Sequence, residues 1–380
     1  MKRLWQTIAD YIRETDKLLL LLCTIASCYG SLLIYSATNM NGSRQFLVQL
    51  GSCVLGLAVA IIISLFDYVN LTRYYPVFII ISVVLLIVTY QFGYAPAGSE
   101  NRAWIELPFG MSFQSSELIK IFMILTFAKH VSSLKPEEVN RPKNLVLLIL
   151  HGVSMPATVM LLQKDLGTVT VMLVIFISML YQAGVKPVVF IVGAVALVAV
   201  SPLLWFYGLD QFQRERFAII FDLESDPLNL GFQQLQSIKA IGAGGLFGQG
   251  FLQGAKTQTG AVPKAHNDFI LSVAGEELGL FGCLLVFAIL LFIIIRIMYI
   301  STVSKDVTGR IICAGVFGMF AAQLAINVGM VLALLPVIGV TLPFFSAGGT
   351  SLVCLFISVG LVTSVYKHRF MRTMYLRDNF

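Results

Sequence analysis

The chain has 380 residues, of which 57% are hydrophobic and only 12% are charged, and its formal net charge is +6. A soluble domain carries about twice that charged fraction, so the composition excludes an ordinary soluble enzyme and indicates an integral membrane protein. Because the apolar runs are continuous and do not alternate with polar residues, they predict helices rather than the strands of a barrel.

The apolar runs predict an all-α polytopic integral membrane protein with about ten transmembrane helices, each about long enough to cross a bilayer. We expect residues 1–380 to form a single membrane domain. One long loop, at about residues 208–268, separates spans seven and eight, and a loop of this length needs a function or a structure of its own. The predicted spans are residues 18–36, 46–66, 76–93, 114–130, 145–162, 168–183, 188–207, 269–298, 311–335 and 342–366.

The 26 Lys and Arg residues are distributed unevenly between the two sides of these spans. If the N-terminus is placed in the cytoplasm, most of them fall in cytoplasmic segments, as the positive-inside rule requires. Both termini are therefore predicted to be cytoplasmic, and the loop 208–268 is predicted to be extracytoplasmic. The net positive charge follows from this rule and does not indicate nucleic-acid binding, because no basic patch is interleaved with aromatic residues.

The cysteines and histidines give no sign of a metal site. All six cysteines fall within apolar runs and none forms a C-x-x-C pair, so we interpret them as small apolar packing residues. The four histidines are scattered along the chain without the spacing of metal ligands. The sequence therefore leaves any metal-binding residue unknown.

The fourth span carries two opposite charges, Glu117 and Lys120. Residues three apart share one face of a helix, and either charge alone would be costly in lipid, so the two are predicted to pair. Two interpretations stay open for this pair. It could be a structural ion pair that fixes helix packing, or it could form the polar wall of an internal cavity.

Two stretches of the long loop have recognisable patterns. Residues 230–241 could form an amphipathic helix that lies on the membrane surface. The glycine-rich residues 242–250 follow it. They do not match a dinucleotide-binding fingerprint, because no strand precedes them, and we expect a flexible turn.

Asp268 lies where the long loop meets the eighth span, with polar Asn267 before it and an apolar run after it. Carboxylates at membrane depth are expensive and by default mark function. At this boundary a carboxylate can remain ionised and still contact a lipid-linked molecule. The alternative is structural, because Asn267 or Asp268 could simply cap the helix, and Glu276 and Glu277 could bond neighbouring helices.

The segment between spans nine and ten is interrupted by Pro336, Pro343, Gly348 and Gly349. Irregular backbone at membrane depth is tolerated only where it is buried in protein or lines a cavity. This segment, which includes Ser346, is therefore predicted to form a wall that faces the substrate. A transporter would also use such a break.

Several spaced motifs follow one another along nearly the whole chain. They are RAWI at 102–105, FQSSELIK at 113–120, QKDLGT at 163–168, QSIKAIGAGG at 236–245, HNDFI at 266–270, EELG at 276–279 and PFFSAGGTS at 343–351. Taken together and in this order, they resemble the motifs of the SEDS (shape, elongation, division and sporulation) family, the RodA/FtsW group. The resemblance is closer to RodA than to FtsW.

The resemblance implies a peptidoglycan glycosyltransferase of the bacterial cytoplasmic (inner) membrane. Its substrate would be lipid II, polymerised during cell-wall elongation and the maintenance of cell shape. Its partner would be a class B penicillin-binding protein, the transpeptidase. Within the matched motifs, Asp268 corresponds to the family's essential aspartate and Trp104 to a functional tryptophan. Lys264 stands where the family often has Glu.

The chemistry of glycosyl transfer assigns roles to these residues. A general base must take the proton of the acceptor hydroxyl, and Asp268 is the candidate. The leaving group is a diphosphate, whose growing charge needs cations. The outside candidates are Arg102, Lys256 and Lys264, Lys120 is a deeper one, and a divalent metal ion is another. The predicted substrate-binding residues are Arg102, Trp104, Glu117, Lys120, Lys256, Lys264 and Ser346.

Two other functions remain open from the sequence. A transporter, or flippase, of a lipid-linked cell-wall precursor would use the Glu117/Lys120 cavity and the broken last spans. It would need access from both sides and no outward general base, and no inverted repeat is evident. A scaffold for the transpeptidase is the third hypothesis. An outward Asp268 beside a large outside loop favours the enzyme.

Overall fold

The structure is a computed structural model, which describes residues 14–39, 44–95, 101–107, 111–223 and 231–369. The fold is a bundle of helices with one small antiparallel hairpin, β1 (Trp104–Leu107) and β2 (Met111–Gln114). The helices are α1 (Lys17–Thr38), α2 (Arg44–Leu65), α3 (Tyr68–Arg73), α4 (Tyr75–Phe92), α5 (Ser115–Ser132), α6 (Pro142–Gln163), α7 (Leu166–Gln182), α8 (Pro187–Leu203), α9 (Gln211–Ala218), α10 (Phe232–Gly244), α11 (Ala255–Gln258), α12 (Ile270–Val303), α13 (Val307–Val331) and α14 (Gly349–Lys367).

Each of the ten predicted spans coincides with one helix. Seven helices in the described part of the chain are long and apolar enough to cross a membrane, namely α1, α2, α4, α6, α12, α13 and α14. Two shorter apolar helices, α7 and α8, correspond to spans six and seven. Helix α5, which carries Glu117 and Lys120, corresponds to span four. The prediction of an all-α polytopic membrane protein is confirmed.

The predicted start of the tenth span is wrong by a full helical turn or more. The prediction began at residue 342, whereas α14 begins at Gly349. Residues 332–348 contain no helix and pass from the end of α13 to the start of α14 as irregular backbone. Proline lacks the N–H that a helix interior needs, so Pro336 and Pro343 work against helix continuing through this segment.

Helices α13 and α14 are buried over most of their length, whereas α4 and α6 bury only a small share of their residues. Small residues let the inner helices approach closely, as is usual in membrane bundles. At Gly360 of α14, for example, a Cβ would lie 2.8 Å from the carbonyl oxygen of Ala60 on α2. The core that positions the functional site is thus formed by α13 and α14 and the helices around them.

Helix α12 is interrupted at Gly279, whose backbone is non-helical with φ 68° and ψ −160°. The interruption leaves backbone groups without helical partners, and the glycine-rich segment supplies them. Gln249 N donates to Glu276 O at 2.9 Å, and Leu280 N donates to Gly245 O at 2.9 Å. A side chain at Gly248 would collide with the neighbouring backbone of α12. The expectation of a flexible turn at 242–250 is therefore corrected, because this segment is hydrogen-bonded to the helix.

The helix predicted at residues 230–241 is present as α10, but it packs on protein rather than lying on the membrane alone. Gln234 Nε2 donates to Met330 O at 2.9 Å, and Ser237 Oγ donates to Val331 O at 3.0 Å. Both polar side chains are fully buried. They satisfy carbonyls at the C-terminal end of α13, where a helix has no partners of its own.

Candidate functional site

Asp268 lies in the turns that precede α12, and its backbone is held by groups from two other segments. Asn327 of α13 donates through Nδ2 to Asp268 O at 2.7 Å and to Val340 O at 2.8 Å. The two preceding carbonyls are also bound, since Ser346 Oγ donates to Asn267 O at 2.7 Å and Ala347 N donates to His266 O at 2.8 Å. The irregular segment 332–348 thus fixes the position of Asp268.

The structural alternative, in which Asn267 or Asp268 caps the helix, is wrong. Helix α12 begins at Ile270, its N-cap residue is Phe269, and no side chain makes a capping hydrogen bond there. Within the described residues, no hydrogen bond is made to the Asp268 carboxylate. The side chain is half-buried and lines a cavity.

This cavity, of about 150 Å³, brings together five of the eight residues that the sequence predicted. It opens among the hairpin, the start of α5 and α7, the turns before α12, and the segment 339–351. Because Trp104 pairs with Gln114 across the hairpin, both side chains lie beside the start of α5. The predicted residues that line the cavity are Trp104, Glu117, Lys120, Lys264 and Asp268.

The predicted ion pair between Glu117 and Lys120 is confirmed. Lys120 Nζ lies 2.8 Å from Glu117 Oε1, and both side chains are almost fully buried. Because both residues also line the cavity, the two interpretations left open by the sequence are compatible. The pair fixes two charges in the wall, and each charge compensates the other.

The charges around Asp268 act on its pKa in opposite directions. Burial raises the pKa of the Asp268 carboxyl above its ordinary value, since desolvation penalises the charged form. The positive charges of Lys264 and Arg216 lower this pKa, and the negative charge of Asp165 raises it. The net direction is upward, which makes the ionised carboxylate a stronger base than an ordinary aspartate.

Arg216 is a cation of this site that the sequence did not assign. It lies on α9, within the long loop. Its Nη1 donates to Val337 O, in the irregular segment 332–348, at 2.7 Å. The same helix is tied to the turn before α7, where Lys164 Nζ lies 2.9 Å from Asp210 Oδ2. The only sequence signal was the Q-R-E-R pattern at 213–216 in a loop of unexplained length.

Asp165 is a second residue that sequence analysis missed. It is 2% exposed, and its carboxylate accepts hydrogen bonds from Gln114 Nε2 at 2.9 Å and from Thr168 Oγ1 at 2.8 Å. Gln114 and Thr168 both line the cavity. Asp165 therefore ties the end of the hairpin to the start of α7 and orients two polar side chains of the wall.

Three predicted residues are not brought to the cavity lining. Arg102 is exposed beside the hairpin. Lys256 lies elsewhere in the long loop, where its Nζ donates to Gln236 Oε1 at 2.9 Å. Ser346 is buried, and its hydroxyl holds Asn267, so it supports the site from behind. Direct substrate contacts by these three residues stay predictions.

Glu276 and Glu277, which the sequence assigned to packing, are fully buried and hydrogen-bonded within the protein. Glu276 accepts from the backbone of Lys256 and Thr257, each at 2.8 Å, and so holds the start of α11. Glu277 accepts from Ser36 Oγ at 2.6 Å. Neither lines the cavity of Asp268.

No group of three or more His, Cys, Asp or Glu side chains within the described ranges could hold a metal ion. The carboxylates that line the cavity are those of Glu117 and Asp268, and the Glu117 carboxylate is already paired with Lys120. The residues present therefore do not form a complete protein-held metal site, and a divalent metal ion stays a prediction.

Comparisons with known sequences identify relatives over nearly the whole chain. The peptidoglycan glycosyltransferase MrdB of Escherichia coli (strain K12) is 32% identical over 369 residues, which cover 96% of this chain and 97% of MrdB. A protein of Geobacter metallireducens named probable peptidoglycan glycosyltransferase FtsW is 33% identical over 368 residues, covering 93% of this chain and 95% of that protein.

Solved structures share the same fold. A chain from the study "Structural coordination of polymerization and crosslinking by a peptidoglycan synthase complex" superposes with a TM-score of 0.80 at 27% identity, covering 94% of this chain and 98% of that one. The rod shape determining protein RodA of Thermus thermophilus gives a TM-score of 0.69 at 24% identity, with the same coverage. The family model described as "Cell cycle protein" for FtsW, RodA and SpoVE matches residues 16–370. The chain therefore belongs to the FtsW/RodA/SpoVE family.

Proposed function

We propose that this protein is a peptidoglycan glycosyltransferase that polymerises lipid II into glycan strands during cell-wall elongation and the maintenance of cell shape. The observation that carries the proposal is the Asp268 carboxylate, which lines a cavity with Lys264 and lies within electrostatic reach of Arg216. The relatives named as peptidoglycan glycosyltransferases support the substrate class.

In the proposed reaction, Asp268 is the general base. It takes the proton of the acceptor sugar's 4-hydroxyl as that oxygen attacks the anomeric carbon of the donor, and the bond from that carbon to the diphosphate breaks. An α-linked donor gives a β-linked product in one inverting displacement. No second carboxylate nucleophile is needed, which agrees with Glu276 and Glu277 being hydrogen-bonded elsewhere.

The leaving diphosphate gathers negative charge, which the two cations that act on Asp268 can stabilise. Lys264 lines the cavity, and Arg216 lies close enough to lower the pKa of Asp268. Lys120 is paired with Glu117, so it contributes little net charge. Lys264 and Arg216 are therefore the residues to which we assign diphosphate binding.

This assignment predicts different effects for two neighbouring arginines of α9. Arg216→Gln should slow polymerisation about tenfold or more, the scale of one lost charge-assisted hydrogen bond. Arg214→Gln is the matched control, because Arg214 lines a separate groove with Trp205 and Glu215. The measurement is the rate of lipid II polymerisation for both variants across a range of pH.

The pH profile gives a second, independent readout. A carboxylate base works when ionised, so activity falls as the pH drops through its pKa. Arg216 lowers the pKa of Asp268, so its removal should raise that pKa further and move the acid limb of the profile to higher pH. Equal profiles for the wild type, Arg216→Gln and Arg214→Gln would contradict the assignment of Arg216.

The partner is proposed to be a class B penicillin-binding protein, the transpeptidase. The related solved chain comes from a study of how a peptidoglycan synthase complex coordinates polymerization and crosslinking. The decisive experiment is polymerisation of labelled lipid II by the purified protein with this partner. An intact complex that makes no glycan would contradict the proposed glycosyltransferase activity. The transporter and scaffold alternatives have no observation of their own in their favour.

We further propose that the protein lies in the bacterial cytoplasmic membrane with both termini in the cytoplasm and residues 208–268 outside. The bias of Lys and Arg supports this orientation. Asp268 would then face the side on which glycan strands are assembled.

The orientation can be measured by cysteine labelling in a variant that lacks the native cysteines. Gln253 and Glu137 are both exposed, and they lie on opposite sides in this orientation. Gln253→Cys should react with an impermeant maleimide in intact cells, whereas Glu137→Cys should react only after lysis. The reverse pattern would invert the orientation and remove Asp268 from the outer surface.

A further inference from the structure

A second and larger cavity, of about 640 Å³, lies at the end of the bundle opposite Asp268. It is a groove bounded by the end of α7, the start of α8, the end of α12 and the start of α13. We call it the α7–α13 groove. Its lining includes Gln182, Ser301, Thr302 and Arg310 at one end, and Phe317 at the other.

The groove changes from polar to apolar with depth. Arg310 lies in the first turn of α13, and Cys313, Ala314 and Phe317 follow on the same helix. Phe317 lies seven residues after Arg310, which is roughly 10 Å along a helix. Ile177 adds a further apolar side chain to the lining. The polar end thus lies at the membrane surface and the apolar end reaches into the hydrocarbon.

Helix α8 lies beside this groove and contributes Phe190 to its lining, without packing tightly on the bundle. It has no buried residue along its described length. Near its start, the Phe190 ring lies 6.5 Å from the ring of Tyr181 on α7. If the groove were empty, the side chains on both sides of it would have no atoms to contact there and would lose dispersion energy. An acyl chain in the groove would restore those contacts between α8 and the bundle.

The charge at the polar end selects the head group. Arg310 is exposed, and no described carboxylate lies within ion-pair distance of its guanidinium. The nearby Asp306 carboxylate is engaged elsewhere, since it accepts from Tyr68 at 2.7 Å and from Gly309 N at 2.6 Å. Lys186, in the turn between α7 and α8, adds a second positive charge at the same end.

We propose that the α7–α13 groove binds one anionic phospholipid, with the phosphate at Arg310 and an acyl chain between α7, α8 and α13. A head group with net negative charge fits the basic end, and a single chain fits the apolar end. This binding does not depend on glycosyltransferase activity. The proposed orientation enters only in naming the leaflet, which is the cytoplasmic one.

The test is native mass spectrometry of the full-length protein purified from an equimolar mixture of phosphatidylglycerol and phosphatidylcholine. The wild type should retain one phosphatidylglycerol in preference to phosphatidylcholine. Arg310→Gln, an exposed substitution, should lower that retention about fivefold, the scale of one basic residue acting on anionic lipid. Arg141→Gln is the matched control, because Arg141 is an exposed basic residue that pairs with Glu138 outside the groove.

A second variant tests the apolar end. Ala314→Phe should fill part of the groove and reduce retention of both lipids, with folding checked by thermal unfolding of the same sample. The proposal is overturned if the wild type retains both lipids equally, or if Arg310→Gln and Arg141→Gln lose phosphatidylglycerol to the same extent. The second result would mean that only the general charge of the surface attracts anionic lipid.

Discussion

The Asp268→Asn variant should fold and bind its partner like the wild type, yet polymerise lipid II about 10²–10⁴-fold more slowly. Asparagine keeps the size of the side chain but cannot accept the proton of the acceptor hydroxyl. The anchors of this position are made to its backbone, since Asn327 donates to Asp268 O at 2.7 Å. The substitution therefore removes the base and leaves the anchors in place.

The measurement is polymerisation of labelled lipid II by the purified variant with its transpeptidase partner, together with thermal unfolding and complex formation. Glu215→Gln is the matched control, because Glu215 is an exposed carboxylate of the same loop that accepts from Gln211 Nε2 at 2.8 Å and does not line the cavity. It should polymerise within a few-fold of wild type. An intact Asp268→Asn variant that also does so would end the assignment of Asp268 as the base.

The second large effect is expected at the buried ion pair. Glu117→Gln leaves the Lys120 ammonium buried without its carboxylate, and losing one partner of such a pair costs about 3–5 kcal/mol. We expect a clear fall in the unfolding temperature and loss of activity. Lys120→Glu should do the same, because it places two carboxylates side by side in the wall of the cavity.

The double variant Glu117→Lys/Lys120→Glu restores opposite charges three residues apart on α5. It should recover part of the unfolding temperature that either single variant loses, and the comparison of the four proteins forms a double-mutant cycle. Polymerisation should recover less than stability does if the cavity also requires the ammonium in its original place. A double variant no more stable than the single variants would show that the residues do not act as a pair.

The bundle was predictable from the sequence because length and hydrophobicity alone decide which segments can cross a bilayer. All ten helices were found, including α5, whose charges reduce its hydropathy. The errors lie where polar contacts between segments override local pattern. Residues 342–348 are apolar enough for a helix, but they are held as irregular backbone by contacts such as Ser346 to Asn267. The glycine-rich segment was expected to be flexible because its partner, the broken backbone at Gly279, lies some thirty residues away.

The site was partly predictable for the same reason. Asp268 and the pair Glu117/Lys120 are conspicuous because charge is expensive at membrane depth. The family resemblance added Trp104. Arg216 could not be found, because it lies in a loop where charged residues are ordinary. Nothing local indicates that α9 folds back to place its guanidinium against Val337.

The sequence by itself determined the class of protein, the ten helices and the one carboxylate at the edge of the eighth span, because each follows from the transfer of side chains between water and lipid. Only the tertiary structure decided which cations stand near that carboxylate. Lys264 lines the cavity of that carboxylate and Arg216 lowers its pKa, whereas Arg102 and Lys256 do neither. The physical reason is that the effect of a cation on the carboxylate depends on their distance and on the local dielectric. The irregular segments set this distance and dielectric, and hydrogen bonds between residues far apart in the chain position those segments.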